Sequence, residues 1–123
     1  MARFPLVAEA EATSEVAEIL KDFRVRMGFD GAPNFLRAQA GAPAVMEGTW
    51  GLVRKVLVRG LLPRSLKEMV FVAISVDRRC SYCEAAHLAC CRMLGVDEPT
   101  LATLLREPAQ LAPARVREII AFA

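Results

Sequence analysis

The chain has 123 residues, which is enough for one domain with a hydrophobic core but too few for two. Its 16 Lys and Arg against 14 Asp and Glu give a net charge of +2, scattered along the chain, which argues against a nucleic-acid partner. Hydrophobic residues make up 54% of the chain, a surplus that predicts a homo-oligomer in which other copies cover part of the surface.

The amino terminus turns acidic before any apolar segment of signal-peptide length develops. The longest apolar run, MVFVAISV, is far shorter than the ~20 residues that cross a bilayer. We therefore expect a cytoplasmic protein without a membrane partner. In that compartment a close cysteine pair is more often catalytic or metal-binding than a structural disulfide.

Prolines and glycines separate segments of helical period in the first half of the chain. Residues Ser14–Met27 carry apolar side chains at helical spacing. Pro33 is placed to open a short helix through Gln39, and Pro43 opens a longer one. The apolar stripe of that longer helix consists of Met46, Trp50, Val53 and Leu57.

The segment from Arg64 to about Arg79 has two interpretations. Its apolar run resembles a buried strand, and a strand before C-x-x-C is typical of thioredoxin. No second strand candidate exists to pair with it, and Pro63 suits a helix start. We predict a helix that is apolar on nearly all sides and therefore buried.

Three further helices follow. Ser81 and Glu84 form a capping-box pattern at the start of the first, which Gly95 ends. Asp97 caps the second, from Glu98 to about Arg106, and Pro113 opens the third. The prediction is an all-α fold in a compact single domain over residues 1–123.

All four cysteines and the only histidine lie between Cys80 and Cys91. With Ser81 as N-cap, Cys83 would stand at the second helical position, where free N–H groups and the helix dipole stabilise a thiolate. His87 rises from the same face one turn later, and Cys80 is spaced to reach Cys83. This predicts a nucleophile, a partner thiol and a base within one turn.

Cys90 and Cys91 are interpreted as small buried hydrophobic residues. Cys90 lies about 20° around the helix from Cys83 and about 10 Å along it. Zinc held by Cys80, Cys83, His87 and Cys90 has suitable ligand types, but one straight helix converges such ligands poorly on a tetrahedral ion. We therefore expect no metal and no cofactor.

The pattern E-x11-C-x2-C-x3-H, in KEMVFVAISVDRRCSYCEAAH, resembles the alkylhydroperoxidase D-like, or carboxymuconolactone decarboxylase-like, family. The likeness is strongest over residues 62–95, and GAPNFLRAQAGAPAVMEG resembles the lead-in of the peroxidase-related branch. The resemblance implies an all-helical fold with antiparallel helices, the C-x-x-C pair at a helix N-terminus, and assembly as a trimer or hexamer.

The resemblance also implies roles for four residues. Cys83 would be the attacking thiol and Cys80 the resolving thiol, with His87 as the base and Glu68 as the carboxylate behind it. The substrate would be a hydroperoxide, and a dithiol or protein reductant would restore the thiols. An antiparallel pair of helices leaves an axial offset of ~7 Å between Glu68 and His87, so we expect a bridging water, or a Glu68 supplied by a neighbouring subunit, rather than direct contact.

The chain departs from the family pattern in two respects. Tyr82 stands where some peroxidases carry a second histidine, and we interpret it as a packing residue. Peroxidase-related relatives also tend to be longer, so we expect a shortened family member or a fragment. Two alternative functions stay open. One is decarboxylation of a lactone acid, although that branch generally lacks the C-x-x-C pair. The other is a non-enzymatic helical module with structural or metal-binding cysteines.

Overall fold

The computed structural model describes residues 3–123, and in that range the chain folds into α-helices without a strand. The all-α prediction is therefore confirmed. The seven described α-helices are α1 Ser14–Met27, α2 Asn34–Arg37, α3 Pro43–Val53, α4 Arg64–Asp77, α5 Ser81–Met93, α6 Glu98–Arg106 and α7 Ala114–Phe122. No helix among these residues is both long and apolar enough to cross a membrane.

The chain divides into two compact units, one ending at Arg59 and one spanning Gly60–Ala123. In the first unit α1 and α3 pack around Leu20, Phe23, Met46 and Trp50, all nearly inaccessible to solvent. A π-helical turn, Arg54–Val58, continues α3 and carries the buried Leu57, the last member of the predicted stripe. The assignment of residues 1–123 to a single domain stays a prediction.

The second unit packs α4 against α5, α6 and α7. Its core is formed by apolar residues of these helices and of the segment before α7: Met69, Val72, Leu88, Cys91, Leu101, Leu104, Leu111 and Ile120. Asp97 caps α6 as predicted, with its Oδ1 atom 2.8 Å from the backbone N of Thr100.

The prediction that α4 is buried on nearly all sides is wrong for the single chain. Its buried side carries Met69 and Val72, whereas Phe71, Ile74 and Val76 are each more than a third exposed. The apolar residues encircle the helix, but its neighbours in this unit cover one side. Phe71 and Ile74, which lie three residues apart on one face of the helix, therefore leave a short apolar strip at the surface.

Candidate active site

The connection between α4 and α5 places Cys80 directly at the start of α5. The backbone N–H of Cys80 donates to the carbonyl of Ser75 at 2.9 Å, and that of Arg79 donates to Val76 at 3.1 Å. These two bonds form a Schellman motif in which Arg79 takes the left-handed position, with φ 53°. The reversal is completed in three residues, so α4 and α5 run antiparallel.

Arg79→Gly is expected to raise the free energy of unfolding by about 0.5–1 kcal/mol, because glycine removes the cost of a side chain at positive φ. The measurement is the midpoint of urea unfolding. Arg78 provides the matched control, since it lies next to Arg79 with a right-handed backbone, φ −80°. Arg78→Gly should lower the midpoint, and a gain from both variants would attribute the effect to lost charge instead.

Cys80 and Cys83 are joined by a disulfide at the N-terminus of α5, with their Cα atoms 5.3 Å apart. Cys80 is the N-cap residue, and its Sγ accepts the backbone N–H of Cys83 at 3.3 Å. The predicted cap at Ser81 is therefore wrong, and Cys83 stands at the third helical position rather than the second. Cys83 stays within the first turn, where the helix dipole favours an anion.

The His87 ring is in direct contact with Glu68, because its Nδ1 lies 2.7 Å from the Glu68 Oε2 atom. The prediction of a bridging water, or of a Glu68 supplied by a neighbouring subunit, is therefore wrong. Glu68 lies ~13 Å along α4 from the end of that helix at Asp77, and His87 lies ~9 Å along α5 from its start at Ser81. The remaining offset of ~4 Å is small enough for the two side chains to span.

Glu68 is completely buried, and both of its carboxylate oxygens are engaged. Oε2 faces His87, and Oε1 accepts the Nε–H of Arg64 at 3.2 Å. A buried carboxylate is tolerated when it is paired in this way. Sequence analysis missed Arg64, although its position four residues before Glu68 on one helix was a usable signal.

Phe71 controls the plane of the histidine ring. The two rings stack with their centroids 4.6 Å apart and an interplanar angle of 11°. Phe71 lies three residues after Glu68 on α4, so one helix supplies both the hydrogen-bond partner and the stacking surface of His87. The imidazole is thereby constrained in position and in tilt.

Cys90 and Cys91 are buried, as predicted. Burial raises the pKa of the Cys90 thiol to about 11, and the negative charge of Glu68 adds to the shift. Burial and the same carboxylate raise the pKa of the Cys91 thiol to about 12. Both thiols are therefore protonated and unreactive at neutral pH. Tyr82, expected to pack, is instead about half exposed.

The residues that could hold a metal ion in the structure differ from the four that the sequence spacing suggested. Donor atoms of Glu68, His87 and Cys90 lie within 4.8 Å of one another. Their types suit zinc, but Arg64 places a positive charge on the same carboxylate. In the disulfide state, moreover, Cys80 and Cys83 offer no thiolate. The arrangement suits a proton relay beside a redox-active pair better than a cation site.

The chain is similar to a protein family, to a curated protein and to a solved structure. Residues 42–123 match the carboxymuconolactone decarboxylase family. The chain is 30% identical over 98 residues to an alkyl hydroperoxide reductase of Mycobacterium tuberculosis, a match that covers 80% of this chain and 28% of that protein. It also resembles the crystal structure of the alkylhydroperoxidase AhpD core from Rhodospirillum rubrum, with a TM-score of 0.77, 31% identity, and coverage of 99% of this chain and 83% of that one.

Proposed function

Because the chain belongs to the carboxymuconolactone decarboxylase family, we propose that it works as the peroxide-reducing kind of member, a thiol-dependent hydroperoxide reductase and disulfide oxidoreductase. The observation that carries the proposal is the Cys80–Cys83 disulfide at the head of the helix that also holds His87, itself bonded to Glu68. A redox pair, an anion-stabilising helix end and an acid–base group are thus combined within α5.

In the first step the reduced Cys83 gives its proton to the free Nε2 atom of His87 and attacks the peroxide. The S–O bond forms as the O–O bond breaks, which leaves Cys83 as a sulfenic acid. The departing alkoxide takes the proton from His87 and leaves as an alcohol, or as water when the substrate is hydrogen peroxide. Two electrons have then passed from sulfur to the peroxide.

In the second step Cys80 attacks the sulfenic sulfur of Cys83. The disulfide forms, and the sulfenic oxygen leaves with two protons as water. This prevents further oxidation of Cys83. An external dithiol then resets the pair by exchange, through a mixed disulfide, and leaves as a disulfide itself.

Counting thiols before and after one equivalent of hydroperoxide tests the proposal. The reduced native protein should show two thiols that react rapidly at neutral pH, because burial keeps Cys90 and Cys91 protonated. Denaturant should reveal all four cysteines of the chain. One equivalent of peroxide should remove the two reactive thiols and leave the other two.

The same titration separates the alternatives. A non-enzymatic module would keep all its thiols after peroxide. A lactone decarboxylase would do so as well, and would release carbon dioxide from a carboxylated lactone. Steady consumption of peroxide with a panel of dithiol donors would then identify the reductant class.

We further propose that the protein works as a homo-oligomer, a trimer or hexamer. Phe71 and Ile74, three residues apart on one face of α4, expose a short apolar strip next to the histidine that Phe71 stacks on. A second copy of the chain would remove that strip from water. Light scattering on the eluting protein measures the mass, and a monomer at micromolar concentration would contradict this part.

A further inference from the structure

Arg64 occupies a position that local helix energetics do not favour. It is the first residue of α4, where a positive side chain opposes the helix dipole. An arginine four residues before a glutamate is also the weaker order for such a pair on an isolated helix. Its side chain is nonetheless only 15% exposed, and its Nε–H donates to the completely buried Glu68. The contact with Glu68 therefore explains the position.

The charge of Glu68 determines which nitrogen of His87 carries a proton. An ionised carboxylate can only accept, so with Glu68 in that form the Nδ1 atom 2.7 Å away is the nitrogen that carries the hydrogen. The Nε2 atom of the neutral ring then has a free lone pair. A protonated Glu68 could instead donate to Nδ1, which would leave the hydrogen on Nε2 and remove its ability to accept another.

We infer that Arg64 is a positioning residue that keeps Glu68 ionised and so holds His87 in the tautomer with a free Nε2. Arginine suits this role because it stays protonated at all relevant pH values, even when mostly buried. Only the effect on turnover rests on the proposed function. The tautomer of His87 is a property of the fold.

Other groups around Glu68 do not replace this charge. From α5, Cys90 and Cys91 face the carboxylate, and both are neutral thiols at neutral pH. The helices α6 and α7 pack on α4, and they contribute the apolar residues Leu101, Leu104 and Ile120 to the core of this unit. None of these three side chains carries a charge that could compensate the buried carboxylate, whereas the Arg64 guanidinium does.

The test uses the fact that the chain has a single histidine, so its imidazole ¹⁵N signals need no assignment. We expect long-range ¹H–¹⁵N spectra of the reduced protein, at a pH where the ring is neutral, to show the Nδ1–H tautomer. Arg64→Ala should shift the signals toward the Nε2–H form. It should also lower kcat/KM for a hydroperoxide about tenfold or more, as expected for losing one charge-assisted hydrogen bond.

Arg64→Lys should keep the tautomer and restore much of the rate, because it keeps the charge. Arg92→Ala is the matched control. It breaks the surface ion pair between Arg92 and Glu98, whose Nε and Oε1 atoms lie 2.6 Å apart, and it should change neither the tautomer nor kcat/KM. If Arg64→Ala fails to fold, Arg64→Gln compared with Arg64→Lys gives the same contrast.

An unchanged tautomer in Arg64→Ala or Arg64→Gln would overturn the inference. A wild-type protein that shows the Nδ1–H tautomer but no peroxide turnover would refute the proposed function alone. The two failures are therefore distinguishable.

Discussion

Cys83→Ser is expected to abolish hydroperoxide turnover, with a loss of about three orders of magnitude or more. A serine hydroxyl at this position is neither ionised at neutral pH nor able to form the sulfenic acid that the cycle requires. The measurement is stopped-flow consumption of a hydroperoxide with excess dithiol. Circular dichroism should show that the helices are retained, because Cys83 lies at the surface end of α5 and is only partly buried.

Cys80→Ser is the informative partner of this variant. It should consume one equivalent of peroxide in a burst and then stall, with Cys83 trapped as a sulfenic acid that reacts with a dimedone probe. Cys91→Ala should turn over normally, because the Cys91 thiol is buried in the apolar core of this unit and takes no part in the cycle. A burst in Cys83→Ser and none in Cys80→Ser would mean that Cys80 is the attacking thiol and Cys83 the resolving thiol.

Glu68→Gln and His87→Ala are each expected to lower kcat/KM by about 10²-fold, the usual contribution of a positioned acid–base group. Without Glu68 the histidine loses the acceptor that orients it, and without His87 the thiol loses its proton acceptor. In His87→Ala the rate of Cys83 alkylation should begin to increase at a higher pH than in the native protein, because the thiol has lost its proton acceptor. Peroxide kinetics and iodoacetamide alkylation as a function of pH measure the two effects.

The double variant tests whether the two residues act as one unit. When two residues act as one unit, the first substitution already removes the effect of both. The Glu68→Gln, His87→Ala protein should therefore have a kcat/KM no lower than that of the slower single variant. Glu98→Gln is the charge control, since its partner Arg92 lies at the surface. Additive losses in the double variant would mean that Glu68 and His87 contribute separately.

Glu68→Gln should also cost stability, because the Glu68 carboxylate is completely buried between Arg64 and His87. The mostly buried Arg64 side chain loses its ion pair with Glu68, and breaking a buried ion pair from one side typically costs about 3 kcal/mol. Urea unfolding measures this loss. Glu68→Gln combined with Arg64→Met, which removes both charges, should recover a large part of it.

Helix boundaries were predictable because their signals are local. Pro43, Pro63 and Asp97 stand within one residue of where α3, α4 and α6 begin, since proline and a capping carboxylate act on the adjacent turn. The start of α5 shows the limit of such signals. Ser81 and Glu84 fit a capping box, but the Schellman turn at Arg79 delivers Cys80 first, and the cysteine sulfur takes the cap.

The chemistry of the site divides in the same way. Sequence alone determined that Cys80, Cys83 and His87 share the first turns of one helix, because the spacing along a single helix follows from its 3.6-residue period. Only the tertiary structure decided that Glu68 bonds directly to His87, that Arg64 completes the buried pair, and that Phe71 stacks on the ring. Those contacts depend on how two helices align side by side, to within a few ångströms, and no periodicity within either helix encodes that alignment.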